Sequence, residues 1–235
     1  MNASTNKLWL FDYDDGTAYE AFSRCEDSKK QIISYLLENY ELRGQNVLEI
    51  GAGSGKFTSF LASECSNLYV VERSASLMKI NRSKNSAKNI SFCLSDVKDI
   101  PFSKKSMDMI FGGWSLTSMR NSFDLILPML KNVLKADGRI ILVENAGGDE
   151  FSALTGIDEL SHEMRNFYKS IGFEEKALLD TAIVLPDKKV FYSAFPNQAN
   201  ALLESLVINH KVLILEAKAQ EFYGGEGNEN SRKES

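Results

Sequence analysis

The sequence has no long apolar run, few cysteines and no excess of positive charge, and each of these features excludes a class of protein. No stretch approaches the roughly 20 apolar residues that cross a bilayer, so we expect no membrane span. The net charge of −5 argues against a generally basic surface for nucleic acid. The first residues lack a basic start followed by an apolar run, so we expect no signal peptide.

The cysteines are Cys25, Cys65 and Cys93, an odd number without a C-x-x-C pair. This pattern favours neither a disulfide framework nor a zinc site, and we expect no bound metal. Reduced thiols are typical of reducing compartments, so we expect a cytoplasmic protein.

What is present is a regular alternation of strand and helix patterns in a chain of 235 residues, a length that suits one domain. Short strands joined by helices predict parallel crossovers, with helices on both faces of a sheet. The first five strands are expected at about 47–50, 68–71, 90–94, 107–111 and 140–143.

The segments after the fifth strand are less regular. We expect a helix over about 157–170, an extended stretch over 176–195 with a turn at 186–188, a short helix over 198–206 and a last strand over 211–217. The aromatic residues of the N-terminal segment 1–27 predict a lid over the domain at 28–220. The Gly, Asn, Ser and charged residues of 221–235 predict a flexible tail.

A glycine-rich turn follows the first strand, with Gly51, Gly53 and Gly55 in the pattern G-x-G-x-G. Glycines at such a turn let the backbone approach a ligand closely. A phosphate-binding P-loop requires G-x-x-x-x-G-K-[ST], but Phe57 follows Lys56 and no glycine lies at the first position. The dinucleotide pattern G-x-G-x-x-G also fails, which argues against a nicotinamide dehydrogenase.

This turn, with the acid Glu49 and the apolar Ile50 directly before it, resembles motif I of the class I methyltransferases that depend on S-adenosylmethionine (SAM). The resemblance continues at Val71-Glu72, at the acidic segment 95–102, at 106–110 and at 134–142. It covers roughly residues 28–217. It implies a Rossmann-like, doubly wound, seven-stranded sheet, mostly parallel with an antiparallel last strand, in a three-layer α/β/α arrangement. SAM is the implied cofactor.

The resemblance also implies roles for individual residues. Glu72 would accept the ribose hydroxyls, unless it is a solvated surface acid, and Asp96 would accept from the adenine amino group, unless it only caps a helix. Glu49 would hold the methionine end, unless it is a buried structural acid. The full set of expected cofactor-binding residues is Glu49, Gly51, Ala52, Gly53, Gly55, Glu72, Arg73, Asp96, Val97 and Gly112.

Methyl transfer needs alignment and exclusion of water more than a fixed catalytic group, so the resemblance supplies no universal catalytic residue. Tyr13 and His162 are candidates. Tyr13, Tyr19, Trp114 and Asn145 are predicted to bind the acceptor, which we expect to be a small molecule with an oxygen or nitrogen nucleophile. The alternatives are an RNA or protein methyltransferase, or a non-catalytic interaction protein of the same fold. The chain could be a monomer or a homodimer.

Overall fold

The computed structural model describes residues 16–199 and 201–222. Within them the strands form one seven-stranded sheet in the order β3-β2-β1-β4-β5-β7-β6. All neighbouring pairs are parallel except those of β7, which runs antiparallel to both β5 and β6. The predicted α/β fold class is confirmed. The strands are β1 (Asn46–Ile50), β2 (Asn67–Glu72), β3 (Ile90–Leu94), β4 (Met107–Gly113), β5 (Leu134–Asn145), β6 (Glu174–Val184) and β7 (Val207–Lys218).

The helices cover both faces of this sheet. Because side chains alternate along a strand, neighbouring residues of β1 enter different cores. Leu48 packs in the core that includes residues of α5 and α7, and Val47 packs in the core that includes residues of α2 and α3. The helices are α1 (Gly16–Ser23), α2 (Gln31–Asn39), α3 (Thr58–Glu64), α4 (Ala75–Lys84), α5 (Phe123–Val133), α6 (Glu150–Thr155), α7 (Asp158–Ser170) and α8 (Lys188–Ala194), with 3-10 turns at Val97–Asp99, Thr117–Ser122 and Pro196–Gln198.

The order of strands reverses at β1. From this strand the chain continues to β2 on one side, whereas β4 lies on the other side. In open α/β sheets a crevice forms at the carboxyl ends of the strands at such a point, and ligands bind there. The glycine-rich turn after Ile50 lies at this edge.

Three predictions in the second half of the chain were wrong. The stretch over 176–195 is not extended throughout, because β6 ends at Val184 and α8 follows, with the Asp187 side chain accepting a hydrogen bond from the Lys189 N–H at its start. The described residues of 198–206 form no α-helix, and a short 3-10 turn, Pro196–Gln198, ends where that helix was expected to begin. β7 starts at Val207 and not at 211, because Val207 pairs with Val184 in a long antiparallel ladder.

The segments predicted as a lid and a tail are partly described. α1, within the predicted lid, packs through Phe22 against Phe195, with ring centroids 4.8 Å apart, and against Phe151. At the other end Phe222 is buried against Phe173, so the packed chain extends into the segment predicted as a tail. Tyr13 and residues 223–235 lie outside the described residues.

Candidate active site

The glycine turn has a backbone conformation that only glycine adopts without strain. Gly51, Gly53 and Gly55 have φ values of 59°, 55° and 88°. A Cβ atom added to Gly51 would lie 2.6 Å from the Cβ of Ser115, and one added to Gly53 would lie 2.9 Å from the Tyr19 hydroxyl. The turn therefore presents bare backbone to the space beneath these side chains.

Glu72 ends β2 beside this turn. Its carboxylate accepts hydrogen bonds from the backbone N–H groups of Gly53, at 2.9 Å, and Ser74, at 2.7 Å. Because the side chain is only 7% exposed, Glu72 is not a solvated surface acid. It keeps further lone pairs with which a ligand hydroxyl can bond.

A first cavity opens along the carboxyl ends of β1, β2 and β3. Asp96 lines it while one of its oxygens also accepts from the Lys98 N–H, so the side chain caps a 3-10 turn and faces the cavity. This first cavity suits SAM. The carboxylates of Glu72 and Asp96 can accept hydrogen bonds from ribose and adenine, and the glycine backbone lets the ligand approach closely. The predicted cofactor residues that line the cavity are Gly51, Gly53, Glu72, Arg73, Asp96 and Val97.

Glu49 lies behind the turn and does not line the first cavity. Its carboxylate accepts from the Thr58 hydroxyl at 2.6 Å, and Asn81 donates to the same hydroxyl at 3.0 Å. Burial raises the pKa of Glu49 to about 8. This geometry fits a buried structural acid and does not support direct contact with the methionine end. Three further predicted residues, Ala52, Gly55 and Gly112, also lie outside the lining of the first cavity.

A second cavity adjoins the first, beyond the ends of β4 and β5. Both cavities are lined by Trp114 and Ser118, so they meet at these side chains. Asn145 lines the second cavity, and the structure thus brings together two of the predicted acceptor-binding residues. Tyr19, predicted with them, lines the first cavity instead.

Trp114 stands between the two cavities in a strained conformation. Its φ of 49° lies in the left-handed region, which a bulky side chain seldom adopts. The ring lies between Phe57 and His210, with centroid distances of 5.8 and 5.9 Å, and the Lys56 ammonium lies 5.4 Å from its centroid. Non-glycine residues in this conformation cluster at functional sites.

The two histidines have opposite environments. His162 is exposed, lines neither cavity, and its Nδ1 lies 2.8 Å from the Asp158 carbonyl oxygen of its own helix, so this geometry does not support it as a catalytic group. His210 is buried, with its Nε2 2.9 Å from Oδ1 of Asn145. Burial lowers the pKa of His210 to about 4, so its ring is neutral near pH 7.

Sequence reasoning also missed Glu144, which lines the second cavity. The available signal was its position, because Glu144 lies at the carboxyl end of β5, where ligand-binding side chains of α/β sheets concentrate. Among residues 16–199 and 201–222, no group of His, Cys, Asp and Glu side chains could hold a metal ion. No helix in this part of the chain is both long and apolar enough to span a membrane.

Comparisons with known proteins give matches to methyltransferases. Residues 48–142, from β1 into β5, match the model of a methyltransferase domain family. A SAM-dependent methyltransferase from Aquifex aeolicus superposes with a TM-score of 0.59 at 16% identity, over 87% of this chain and 98% of that one. Residues 48–142 thus match a methyltransferase domain family, and the described chain has the class I, Rossmann-like fold of SAM-dependent methyltransferases.

The curated relatives that match the chain carry the name of one kind of methyltransferase. A phosphoethanolamine N-methyltransferase from Triticum aestivum is 29% identical over 66% of this chain and 31% of its own length. Phosphoethanolamine N-methyltransferase 1 from Arabidopsis thaliana is 28% identical over 67% of this chain and 32% of its own length. The chain thus spans about a third of the length of these relatives.

Proposed function

We propose that this protein transfers the methyl group of SAM to an oxygen or nitrogen nucleophile of a small-molecule acceptor. The observation that carries the proposal is the pair of cavities that meet at Trp114 and Ser118. One cavity has the acids and bare backbone that suit SAM, and the other adjoins it at the carboxyl edge of the sheet. Ligands bound in the two cavities would be neighbours, so the acceptor nucleophile could face the methyl group of SAM as an in-line displacement requires.

On the cofactor side, Glu72 would accept from the ribose hydroxyls, and Asp96 and the Val97 N–H would bond the adenine. SAM supplies a methyl group that is already activated by its sulfonium. The chain therefore has to hold the acceptor in line and exclude water. Tyr19, whose hydroxyl stands over Gly53, would close the first cavity as part of the proposed lid.

On the acceptor side, the lining of the second cavity supports a small molecule. Apolar side chains of Phe151, Ile157 and Met164 line it together with a few polar groups, a composition typical of small-molecule sites. The names of the curated relatives favour a nitrogen nucleophile. The net charge of −5 gives no support to an RNA acceptor.

The test is a methyl-transfer assay with labelled SAM over pooled small amines and alcohols, phosphoethanolamine among them, with bulk RNA and a peptide mixture as further acceptors. The expected result is methylation of a small molecule by the wild type, with less methylation by Glu72→Ala at a SAM concentration that does not saturate the variant. Methylation of RNA or peptide alone would replace the proposal with its alternatives. Calorimetry with SAM tests the other alternative, a non-catalytic interaction protein, which no heat of SAM binding would indicate.

A further inference from the structure

Glu144 is a buried acid that faces the second cavity. It is the second-last residue of β5 and is only 4% exposed, yet it lines the cavity together with Thr117 and Tyr168. One of its oxygens accepts from the Thr117 N–H at 3.2 Å and lies 3.3 Å from the Tyr168 hydroxyl. These contacts aim the carboxyl group from the floor of the sheet toward the space that an acceptor would occupy.

No cation balances this carboxyl group among the described residues. The other acids near the cavity have partners: Glu175 binds Arg165, and Glu26 lies 3.4 Å from the Lys56 ammonium. Glu144 forms no ion pair within 16–199 and 201–222, although a buried carboxylate without a cation is costly. A ligand that brings its own positive charge would remove that cost.

We propose that Glu144 is a catalytic residue that binds the ammonium group of the acceptor and accepts its proton, which makes the acceptor an amine. The inference rests on the proposed methyltransferase function and narrows its acceptor from oxygen or nitrogen to nitrogen. An amine is protonated at neutral pH and has no lone pair for attack, so a proton acceptor at this position is required.

The step balances as follows. The ammonium group gives one proton to the Glu144 carboxylate and becomes a neutral amine, whose lone pair forms the new bond to the methyl carbon. The carbon–sulfur bond of SAM breaks, its electron pair stays on sulfur, and the product is a methylated ammonium ion. Glu144 then releases its proton to solvent when the product leaves, which restores the carboxylate.

The charged groups around Glu144 are compatible with this role. Burial raises the pKa of Glu144 to about 7, so the group can both accept and release a proton near neutral pH. Tyr168 on α7 faces it with a pKa raised by burial and stays neutral, while Arg165 on the same helix is paired with Glu175.

Arg120, in the 3-10 turn after β4, also lines the cavity. Its Nη1 donates to the Thr117 carbonyl at 3.4 Å, and it has no acid partner among the residues described. An acceptor that carries an anionic group beside its amine would balance both Arg120 and Glu144.

The experiment compares Glu144→Gln with the exposed control Glu163→Gln, using phosphoethanolamine and pooled amines against their hydroxyl counterparts, 2-hydroxyethyl phosphate among them. We expect methylation of amines by the wild type and a fall in kcat of about 100-fold or more in Glu144→Gln. Affinity for S-adenosylhomocysteine and the melting temperature should stay close to those of the control. If Glu144→Gln does not fold, Glu144→Asp should retain partial activity with a shifted pH profile.

A second readout does not depend on turnover. Calorimetric titration of the amine into the complex with S-adenosylhomocysteine, in buffers of different ionisation enthalpy, counts the protons exchanged on binding. Above the pKa of Glu144, we expect the wild type to bind the ammonium ion without net release of a proton. In Glu144→Gln, the ammonium proton should be released to buffer, or the amine should bind at least about tenfold more weakly. Tyr168→Phe, which leaves the carboxyl group in place, should keep the wild-type proton count.

The outcomes separate this inference from the function on which it rests. Transfer to hydroxyl acceptors alone, or amine methylation that Glu144→Gln leaves within threefold of wild type, overturns the role of Glu144 and leaves the methyltransferase standing. Absence of transfer to every acceptor, with no heat of binding for SAM, overturns both.

Discussion

The Glu72 carboxylate accepts a hydrogen bond from the backbone nitrogen of Gly53 across 2.9 Å. This bond joins the end of β2 to the turn that follows β1. It can form because parallel neighbours bring their carboxyl ends to the same edge of the sheet, where Ile50 pairs with Val71. One acid thus both supports the glycine turn and faces the cavity assigned to SAM.

Replacement of Glu72 should therefore weaken SAM binding. We expect Glu72→Ala to lower the affinity for SAM by tenfold or more, which is ~1.4 kcal/mol, because a charged hydrogen bond to the ligand and the support of the turn are both lost. Isothermal titration calorimetry measures the change, with the exposed Glu38→Ala as control. An affinity equal to that of the control would remove Glu72 from the site.

A side chain at Gly53 should damage the same site. The added Cβ atom would lie 2.9 Å from the Tyr19 hydroxyl, and the φ of 55° adds a backbone cost. Gly44→Ala is the matched control, because its φ is 82° but nothing lies within 4 Å of an added Cβ. Both variants should lose roughly 1–2 kcal/mol of stability from the left-handed backbone, and only Gly53→Ala should lose SAM binding. Equal SAM affinities would show that the turn does not support the cofactor.

The buried Glu49 should make stability depend on pH. Its pKa of about 8 lies above the unfolded value of ~4.3, so the unfolded chain ionises first as pH rises and the native state loses stability until Glu49 itself ionises. Glu49→Gln does not titrate. The difference in unfolding free energy between Glu49→Gln and wild type should therefore shift in favour of the variant by at least ~1 kcal/mol between pH 5 and pH 8. That is about the free energy of one pKa unit.

Urea unfolding of both proteins at the two pH values measures this difference. Glu144, whose pKa is also raised, is present in both proteins and cancels to first order. A difference that does not change with pH would mean that Glu49 ionises near its ordinary pKa.

Variants of Trp114 should separate the cost of its backbone strain from its role in turnover. Its φ of 49° is costly for any residue with a Cβ atom, so Trp114→Gly should be more stable than Trp114→Ala by ~1 kcal/mol, contrary to the usual order. Chemical denaturation compares the two variants. Both should lose acceptor turnover by about tenfold or more, or ~1.4 kcal/mol, because the wall shared by the two cavities is gone. Trp114→Phe, which keeps an aromatic ring there, should retain more activity.

The alternation of short strands and helices, and the glycine turn after β1, are local features that the sequence alone determined. Strand period, glycine spacing and the acid two residues before Gly51 depend on neighbours in the chain, so they predicted the fold class and placed Glu72 and Asp96 at the correct edge. Segments without such local patterns were misjudged. α8 and the long β7 depend on cap and ladder contacts, such as Val184 with Val207, that join separate stretches of chain.

Only the tertiary structure decided what surrounds the second cavity. His210 meets Asn145, and Tyr168 meets Glu144, across separations of 65 and 24 residues. Such pairs arise from the antiparallel register of β5 with β7 and from the packing of α7 on the sheet. Burial there alters the pKa values of Glu144 and His210, and burial is a property of the folded whole. For that reason the sequence indicated a methyltransferase and pointed to Trp114 and Asn145, while Glu144 and His210 became visible only in the fold.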